Sequence, residues 1–206
     1  MNNNIDHQVD DTKSLKYTNL LIRKQRVWWK HLIDVQAPYR WNLRRLKPGF
    51  ILDIGCGIGR NLIHLNGQGI GIDHNKQSVT IVRELGLKAF TPEEFQFSDY
   101  IHQQFDSLLL AHVAEHMTQH DAAELLRRYI HLLKPGGKLI MITPQEAGYK
   151  SDSSHIEFMD FSKLNNINRQ LGLSILHEYS FPFPRFVGHF FTYNEFISVS
   201  CKNETP

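Results

Sequence analysis

The sequence predicts an α/β fold with a doubly wound, mostly parallel sheet. Short apolar runs such as FILDIG (50–55) and KLIMITP (138–144) alternate with stretches of helical periodicity. Strands that are continuously apolar are buried on both faces, which occurs where helices cover a parallel sheet. SILHEYSF (174–181) and NEFISVSCK (194–202) have only a loop between them, so we expect them to pair as antiparallel strands.

The first 48 residues are predicted to lie outside this sheet. Residues 1–15 are polar and rich in asparagine and aspartate, as is typical of a disordered tail. Apolar residues then recur at near-helical spacing, so we predict a helical cap over 16–48, made of two helices broken near Ala37-Pro38. The main domain is expected over residues 49–203.

The elements of the main domain follow one another in a regular order. FILDIG precedes a helix, and the next strand is followed by a helix that ends near Gly86. Thr91 is the type of residue that caps a helix, and Pro92 suits its first position. The remaining predicted strands are GIGID (69–73), LKAF (87–90), FDSLLLA (105–111) and KLIMITP, and the remaining helices are DAAELLRRYIHLL (121–133) and FSKLNNINRQLG (161–172).

The composition is that of an ordinary globular protein, with 41% hydrophobic and 21% charged residues. No apolar run is long enough to span a bilayer, and the N-terminus lacks a secretory pattern. The chain has only two cysteines, too few for a fold stabilised by several disulfides, so a location in the reducing cytoplasm is expected. From Lys16 to Pro48, nine basic side chains accompany the single acid Asp34, about +8 in all. We expect a solvated basic face; a surface for an anionic acceptor is the alternative.

A glycine loop, DIGCGIGRN (53–61), follows the first strand. Its G-x-G-x-G spacing differs from the G-x-G-x-x-G fingerprint of dinucleotide binding. Asp53, just ahead of the glycines, would repel a pyrophosphate and suits a cationic or amine-bearing ligand. The second strand ends at Asp73, whose carboxylate can accept hydrogen bonds from both hydroxyls of a ribose. Together they predict a nucleoside site at the carboxyl edge of the sheet.

DIGCGIGRN, GIDHN, FDSLLLAHVAEHM and LKPGGKLIMITP stand in this order in the sequence. The series resembles the motifs of the class I S-adenosylmethionine-dependent methyltransferases, of the type 11 and 12 kind, over about residues 47–144. The strand pair extends the resemblance to about residue 202. It implies a Rossmann-like sheet of seven strands with the last one antiparallel. It also implies S-adenosylmethionine as cofactor and S-adenosylhomocysteine as product.

The resemblance also assigns the cofactor-binding residues. Asp53 and its glycine loop would face the methionine part, Asp73 would hold the ribose, and His74 would lie beside the adenosine. Relatives carry an acid near the adenine where this chain has Thr91-Pro92-Glu93, so the acid is displaced or missing. The complete predicted set is Asp53, Gly55, Cys56, Gly57, Asp73, His74, Thr91, Pro92, Glu93, Ala111, His112 and Val113.

HVAEH (112–116) reads H-x-x-E-H, the signature of the inverted zinc peptidases. That site needs a long helix, whereas here a buried strand is predicted to end at the motif. We therefore expect the motif to shape the cofactor pocket and to bind no metal. A metal alternative stays open, because His112, Glu115 and His116 would share one face of a helical turn. Some quinone-biosynthesis O-methyltransferases look similar here and use a divalent cation, with an acid in place of His112.

His112, His116 and His155 are the candidate catalytic residues. His155 lies in the loop after the fifth strand, which faces the acceptor in this fold, and a histidine can serve as general base near neutral pH. A role in bracing the loop is the alternative for His155. Trp41 and the two earlier tryptophans are expected to form an apolar helix face, with an acceptor pocket as the alternative.

The predicted reaction is methyl transfer to a small or carrier-linked acceptor, expected at oxygen and with an anionic group. One alternative is a nucleic-acid methyltransferase docked by the basic segment, which the modest net charge of +2 and the absence of a recognised RNA-binding motif disfavour. A S-adenosylmethionine-binding subunit without chemistry is another. The sequence leaves the oligomeric state open between monomer and homodimer.

Overall fold

The computed structural model describes residues 34–203. The predicted tail and the first part of the helical cap lie outside the described residues. The helices and strands are α1 (Ala37–Arg45), β1 (Ile51–Ile54), α2 (Arg60–His64), β2 (Gly69–Ile72), α3 (Lys76–Glu84), β3 (Ala89–Phe90), α4 (Pro92–Gln96), β4 (Phe105–Ala111), α5 (Gln119–Arg127), β5 (Leu133–Pro144), α6 (Glu146–Lys150), α7 (Phe161–Gln170), β6 (Leu173–Phe181) and β7 (Glu195–Lys202). Short 3₁₀ turns span Ala114–His116, Ile130–Leu132 and Arg185–His189.

The seven strands form one sheet in the order β3-β2-β1-β4-β5-β7-β6. The pairs from β3 to β5 are parallel, and β7 runs antiparallel between β5 and β6. The predicted fold class is therefore confirmed, including the antiparallel last strand. The strand order reverses between β1 and β4, and open α/β sheets bind ligands at the carboxyl ends of the strands beside such a point.

Both faces of the sheet are covered, as the continuously apolar strands predict. Every residue of β1 and β2 is buried. Successive side chains point to opposite faces, so Leu52 belongs to one core cluster and Ile51 to the other. The sheet is therefore packed between two apolar cores.

Two boundaries differ from the sequence prediction. The helix expected over 121–133 begins earlier, at Gln119, because the Thr118 side chain caps it by accepting from the Asp121 backbone N–H. It ends at Arg127, and a 3₁₀ turn replaces its expected last turn. β5 begins at Leu133, whereas the sequence predicted a start at Lys138, after the glycine pair. The earlier start arises because Leu133 already pairs with Phe105, before the register shifts along β4.

α1 is the described part of the predicted cap, and it starts at Ala37, where the break was predicted. Its basic side chains are engaged within the chain: the Arg44 Nε donates to the His64 carbonyl at 2.6 Å. The Arg45 guanidinium lies 4.9 Å from the ring centres of both Trp41 and Tyr179. Within residues 34–203 there is no helix with the length and apolar character needed to cross a membrane.

Candidate functional site

The glycine loop between β1 and α2 leaves an open cradle at the carboxyl edge. Gly55 and Gly57 have left-handed φ values of 75° and 52°, which favour glycine. A Cβ added to Gly55 would lie 2.4 Å from the Val113 Cγ2, so Val113 packs directly on the loop. A Cβ added to Gly57 would meet nothing within 4 Å. The loop therefore offers backbone and free space to a ligand at Gly57.

Asp53 is a fully buried carboxyl at the base of this cradle. Its Oδ1 accepts a long hydrogen bond of 3.5 Å from the Asn61 amide. Its Oδ2 has no hydrogen-bond partner among the described residues. Burial raises the pKa of Asp53 to about 7, against the opposing effects of Asn61 and the Arg60 charge. A buried, unpaired carboxyl oxygen is costly, and a cationic ligand would relieve it.

Asp73, just past β2, braces the glycine loop. Its Oδ2 accepts from the Gly57 backbone N–H at 2.7 Å, and its Oδ1 accepts from the Asn75 N–H at 2.9 Å. A carboxylate offers about four acceptor positions, so two stay available to ribose hydroxyls. The neighbouring His74 side chain is 93% exposed. Asp73 and His74, predicted to hold the nucleoside, thus lie together at the carboxyl edge of the sheet.

Other residues predicted for the cofactor have structural partners. The Cys56 thiol points into the core beneath β2, where a Cβ on Gly71 would lie 2.5 Å from its Sγ, and burial raises the pKa of this thiol. Thr91 is buried and caps α4 in a capping box with Glu94. Glu93 is exposed. The loop can thus use the Cys56 backbone but not its thiol, and the Thr91 hydroxyl already has a partner.

His112 follows β4, and its ring lies between Glu115 of the same motif and Glu195 of β7. Its φ of 58° is left-handed, while its backbone N–H still donates to the Ile142 carbonyl. Its Nε2 lies 2.8 Å from the Glu195 Oε1, and its Nδ1 lies 3.4 Å from the Glu115 Oε1. Burial lowers the pKa of His112, but the hydrogen bonds to Glu115 and Glu195 outweigh it and raise the pKa to about 9.

His116 and His155 form a pair of imidazoles at the same edge, with ring centres 4.9 Å apart. The His155 Nδ1 lies 2.7 Å from the Tyr149 carbonyl oxygen. The His116 Nδ1 lies 3.3 Å from the Ser154 carbonyl oxygen and 3.2 Å from the Ser154 Oγ. The Ile156 N–H donates to the Glu115 carbonyl at 2.7 Å, which holds the loop of His155 against the motif.

The alternative in which His112, Glu115 and His116 share one face of a helical turn is not what the structure shows, although the His112 Nδ1 lies 3.4 Å from the Glu115 Oε1. The motif forms only a three-residue 3₁₀ turn after the strand, and the left-handed His112 directs its ring towards β7. Glu115, His116 and His155 come together in its place, with one potential ligand atom each, all within 4.8 Å of one another.

Sequence reasoning missed Glu195 and the polar network beneath it. Glu195 is 83 residues from His112 and reaches it because β7 enters the sheet beside β5. The buried Gln145 amide donates to the Glu195 carbonyl at 2.9 Å, and the buried Asn194 amide donates to the Gln145 Oε1 at 3.0 Å. The sequence signal that could have found them is their position: Gln145 directly follows the fifth strand, and Asn194 and Glu195 stand at the start of the last one.

A family model described as a methyltransferase domain matches residues 23–178. The chain belongs to this methyltransferase family. The methyltransferase is 32% identical over 108 residues to phosphoethanolamine N-methyltransferase 3 of Arabidopsis thaliana, a match that covers 47% of this chain and 21% of the relative. It is 30% identical over 102 residues to a ubiquinone biosynthesis O-methyltransferase of Xanthomonas oryzae pv. oryzae, covering 45% and 42%. The match thus spans less than half the length of either curated relative.

Solved structures show the same fold. A S-adenosylmethionine-dependent methyltransferase of Thermotoga maritima, described as a possible histamine N-methyltransferase, superposes with a TM-score of 0.67 at 16% identity, covering 91% of this chain and 98% of that one. The magnesium protoporphyrin IX methyltransferase of Synechocystis with bound S-adenosylhomocysteine gives 0.60 at 15%, covering 82% and 86%. The methyltransferase therefore has the class I methyltransferase fold that the sequence predicted.

Proposed function

We propose that this methyltransferase methylates a hydroxyl oxygen of a small or carrier-linked acceptor, bound beside His116 and His155. The observation that supports the proposal is the imidazole pair. A carbonyl oxygen only accepts, so the His155 Nδ1 must carry the proton that it shares with Tyr149. In a neutral ring this leaves the His155 Nε2 as an acceptor, fixed in orientation by the stacked Tyr149 ring 5.3 Å away.

The cofactor side of the site needs positioning above all. Bound S-adenosylmethionine supplies a methyl group on a sulfonium, which is an excellent leaving group. Asp53 would meet the cationic methionine part, the open face of Gly57 would admit it, and Asp73 would hold the ribose. Fixing two reactants in line can account for about 7 to 11 kcal/mol of a barrier.

His112 is proposed as a positioning residue and not as a base. Both of its ring nitrogens are engaged, with Glu195 at 2.8 Å and Glu115 at 3.4 Å. It therefore links the exit of β4, which contacts the glycine loop through Val113, to the start of β7. His116 and His155 retain the predicted catalytic roles.

An oxygen acceptor agrees better with this site than a nitrogen acceptor. A neutral amine attacks with its own lone pair, whereas a hydroxyl must lose its proton before or during attack. Two oriented imidazoles at the acceptor edge are useful mainly for the second case. The two curated relatives are an N-methyltransferase and an O-methyltransferase, so nitrogen is the second candidate. An anionic acceptor is retained from the charge of the N-terminal segment, although Arg44 and Arg45 have partners within the chain.

The test is a panel of phenols, acidic sugars, primary amines and RNA, with formation of S-adenosylhomocysteine as the readout. His155→Ala should lower kcat by about 10²- to 10⁴-fold on the hydroxyl acceptor, the range of a proton-transfer group. S-adenosylhomocysteine affinity should not change. His120→Ala is the matched control, because His120 is exposed on α5, four residues past His116. Turnover of amines or RNA alone, or full turnover by His155→Ala, would contradict the proposal.

A further inference from the structure

Glu115, His116 and His155 form a cluster in which one ligand atom from each lies within 4.8 Å of the others. We infer that these three side chains hold a divalent transition-metal ion that binds the acceptor oxygen. The inference rests on the proposed function and refines how the acceptor is activated: the His155 Nε2 binds the ion, and the ion, in place of the free imidazole, promotes loss of the hydroxyl proton. It departs from the sequence-based expectation of no metal, and it differs from the metal alternative left open there by having His155 in place of His112.

The two imidazoles are oriented as metal ligands usually are. A metal-binding histidine almost always donates its second ring N–H to a backbone carbonyl, a carboxylate or water, which fixes the tautomer and the ring. The His155 Nδ1 has such a carbonyl partner in Tyr149 at 2.7 Å. The His116 Nδ1 has the Ser154 carbonyl oxygen at 3.3 Å. In both rings the Nε2 is then the nitrogen left to bind an ion.

The buried carboxylate of Glu115 gives a second, independent indication. Glu115 is only 1% exposed, and its Oε2 has no hydrogen-bond partner among the described residues. An unpaired oxygen of a buried carboxylate loses its hydration without compensation. The contact of the Glu115 Oε1 with the His112 Nδ1 at 3.4 Å is long and does not reach Oε2. A cation at the cluster would supply the missing partner.

The types of ligand atom limit which ions can bind here. Two imidazole nitrogens and one carboxylate oxygen suit Zn²⁺, Fe²⁺, Co²⁺ or Mn²⁺, whereas Mg²⁺ and Ca²⁺ prefer oxygen ligands. Bonds of about 2.0 to 2.2 Å place neighbouring ligand atoms about 3 to 4 Å apart, so the three atoms, which lie within 4.8 Å of one another, would move closer together on binding. Three protein ligands leave coordination positions open for an acceptor oxygen, as in catalytic rather than structural sites.

An ion in this place would make the hydroxyl acceptor more acidic. The hydroxyl proton leaves to water, and the oxygen then forms its bond to the methyl carbon. The bond from that carbon to sulfur breaks, and its electron pair stays on sulfur. Atoms and charges balance without any oxidant or reductant. His116 and His155 thus assist proton loss through the ion that they hold.

The experiment is a titration of EDTA-treated, dialysed protein with Co²⁺ alone, followed by visible absorption, with S-adenosylhomocysteine bound throughout. One Co²⁺ per chain is expected, with bands typical of nitrogen and oxygen ligands. His155→Ala and Glu115→Gln should each weaken Co²⁺ binding at least about tenfold, because loss of even an outer-shell partner costs 10- to 100-fold. His120→Ala should bind like the wild type. Unchanged S-adenosylhomocysteine affinity shows that each variant is folded.

The inference is overturned if the wild type binds no Co²⁺ at millimolar concentration, or if all four proteins bind it equally. Turnover measured with and without EDTA separates this outcome from failure of the proposed function. Methylation of a hydroxyl acceptor that persists in EDTA, without Co²⁺ binding, would remove the metal and leave the O-methyltransferase. Site-specific Co²⁺ binding, with amines or RNA as the only acceptors methylated, would keep the metal and remove the hydroxyl acceptor.

Discussion

Replacing Asp53 by asparagine should abolish a proton release that accompanies cofactor binding. Asp53 is fully buried, its Oδ2 is unpaired among the described residues, and burial raises its pKa to about 7. The amino group of S-adenosylhomocysteine is a cation, and an opposite charge nearby favours the ionised carboxyl. If the cofactor binds where we propose, it should lower the pKa of Asp53 and expel the proton. Asparagine has the same shape and no proton to lose.

The size of the effect follows from the pKa of the free protein. With a pKa of about 7, about nine tenths of the Asp53 carboxyls are protonated at pH 6 and about one tenth at pH 8. Binding should therefore release about 0.8 to 0.9 proton at pH 6, provided that the pKa falls below about 5 in the complex. By linkage, the wild type should bind S-adenosylhomocysteine about tenfold more tightly at pH 8 than at pH 6. Asp53→Asn should lack this dependence.

The measurement is isothermal titration calorimetry at pH 6 in two buffers of different ionisation enthalpy. The difference between the observed enthalpies gives the number of protons released. Asp53→Asn measured in the same buffers removes contributions from all other groups and from the ligand, including the nearby Arg60 and Asp73. Equal proton release by the two proteins, or tenfold tighter binding at pH 8 by both, would show that the cofactor does not lie against Asp53.

Two further predictions concern the glycine loop and the α1–α2 contact. Gly57→Ala and Gly86→Ala both place a Cβ in open space at a left-handed φ, so each should destabilise the fold by about 1 to 2 kcal/mol. Only Gly57→Ala should also weaken S-adenosylhomocysteine binding, by tenfold or more. Equal affinities of the two variants in calorimetry would show that the cofactor does not bind against Gly57. His64 is buried, and burial lowers its pKa to about 4, so the unfolded chain binds the extra proton and stability is lost as pH falls from about 6.5 towards 4. The raised pKa of Asp53 changes stability with pH in the opposite sense, so wild type and His64→Gln are compared at each pH by urea unfolding. The free energy of unfolding of the variant should rise by about 2 kcal/mol relative to that of wild type between pH 7 and pH 5. A difference that does not change with pH would contradict this prediction.

The fold was predictable from local patterns because the decisive features are local. Within the mainly apolar run FILDIG, the four residues Ile51–Ile54 form β1, and all four are buried. Thr91 and Pro92 start α4 as their types suggest, with the Thr91 side chain accepting from the Glu94 N–H. The glycine loop and Asp73 meet because the carboxyl ends of neighbouring parallel strands share an edge, and the Gly57 N–H donates to Asp73 at 2.7 Å.

The acceptor side was less predictable because it depends on long-range contacts and one unusual dihedral angle. No residue pattern signals that His112 adopts a φ of 58° or that its ring contacts Glu195. Its partner Glu195 arrives through the antiparallel insertion of β7, and His155 arrives through a loop held by the Glu115 carbonyl. The spacing of residues on a helix does not predict which side chains of HVAEH lie together, because the motif is the end of a strand followed by a three-residue turn.

The position of β7 in the sheet has a consequence for synthesis of the chain. β6 is translated before β7, but β7 separates it from β5 in the sheet. A nascent chain that stops at residue 194 therefore has an open, apolar β5 edge and no partner for β6. Such unpaired edges are prone to aggregation, and pairing of distant segments is slow. Completion of the sheet thus waits for the segment that also carries Glu195, so the fold and the acceptor side of the site become complete together.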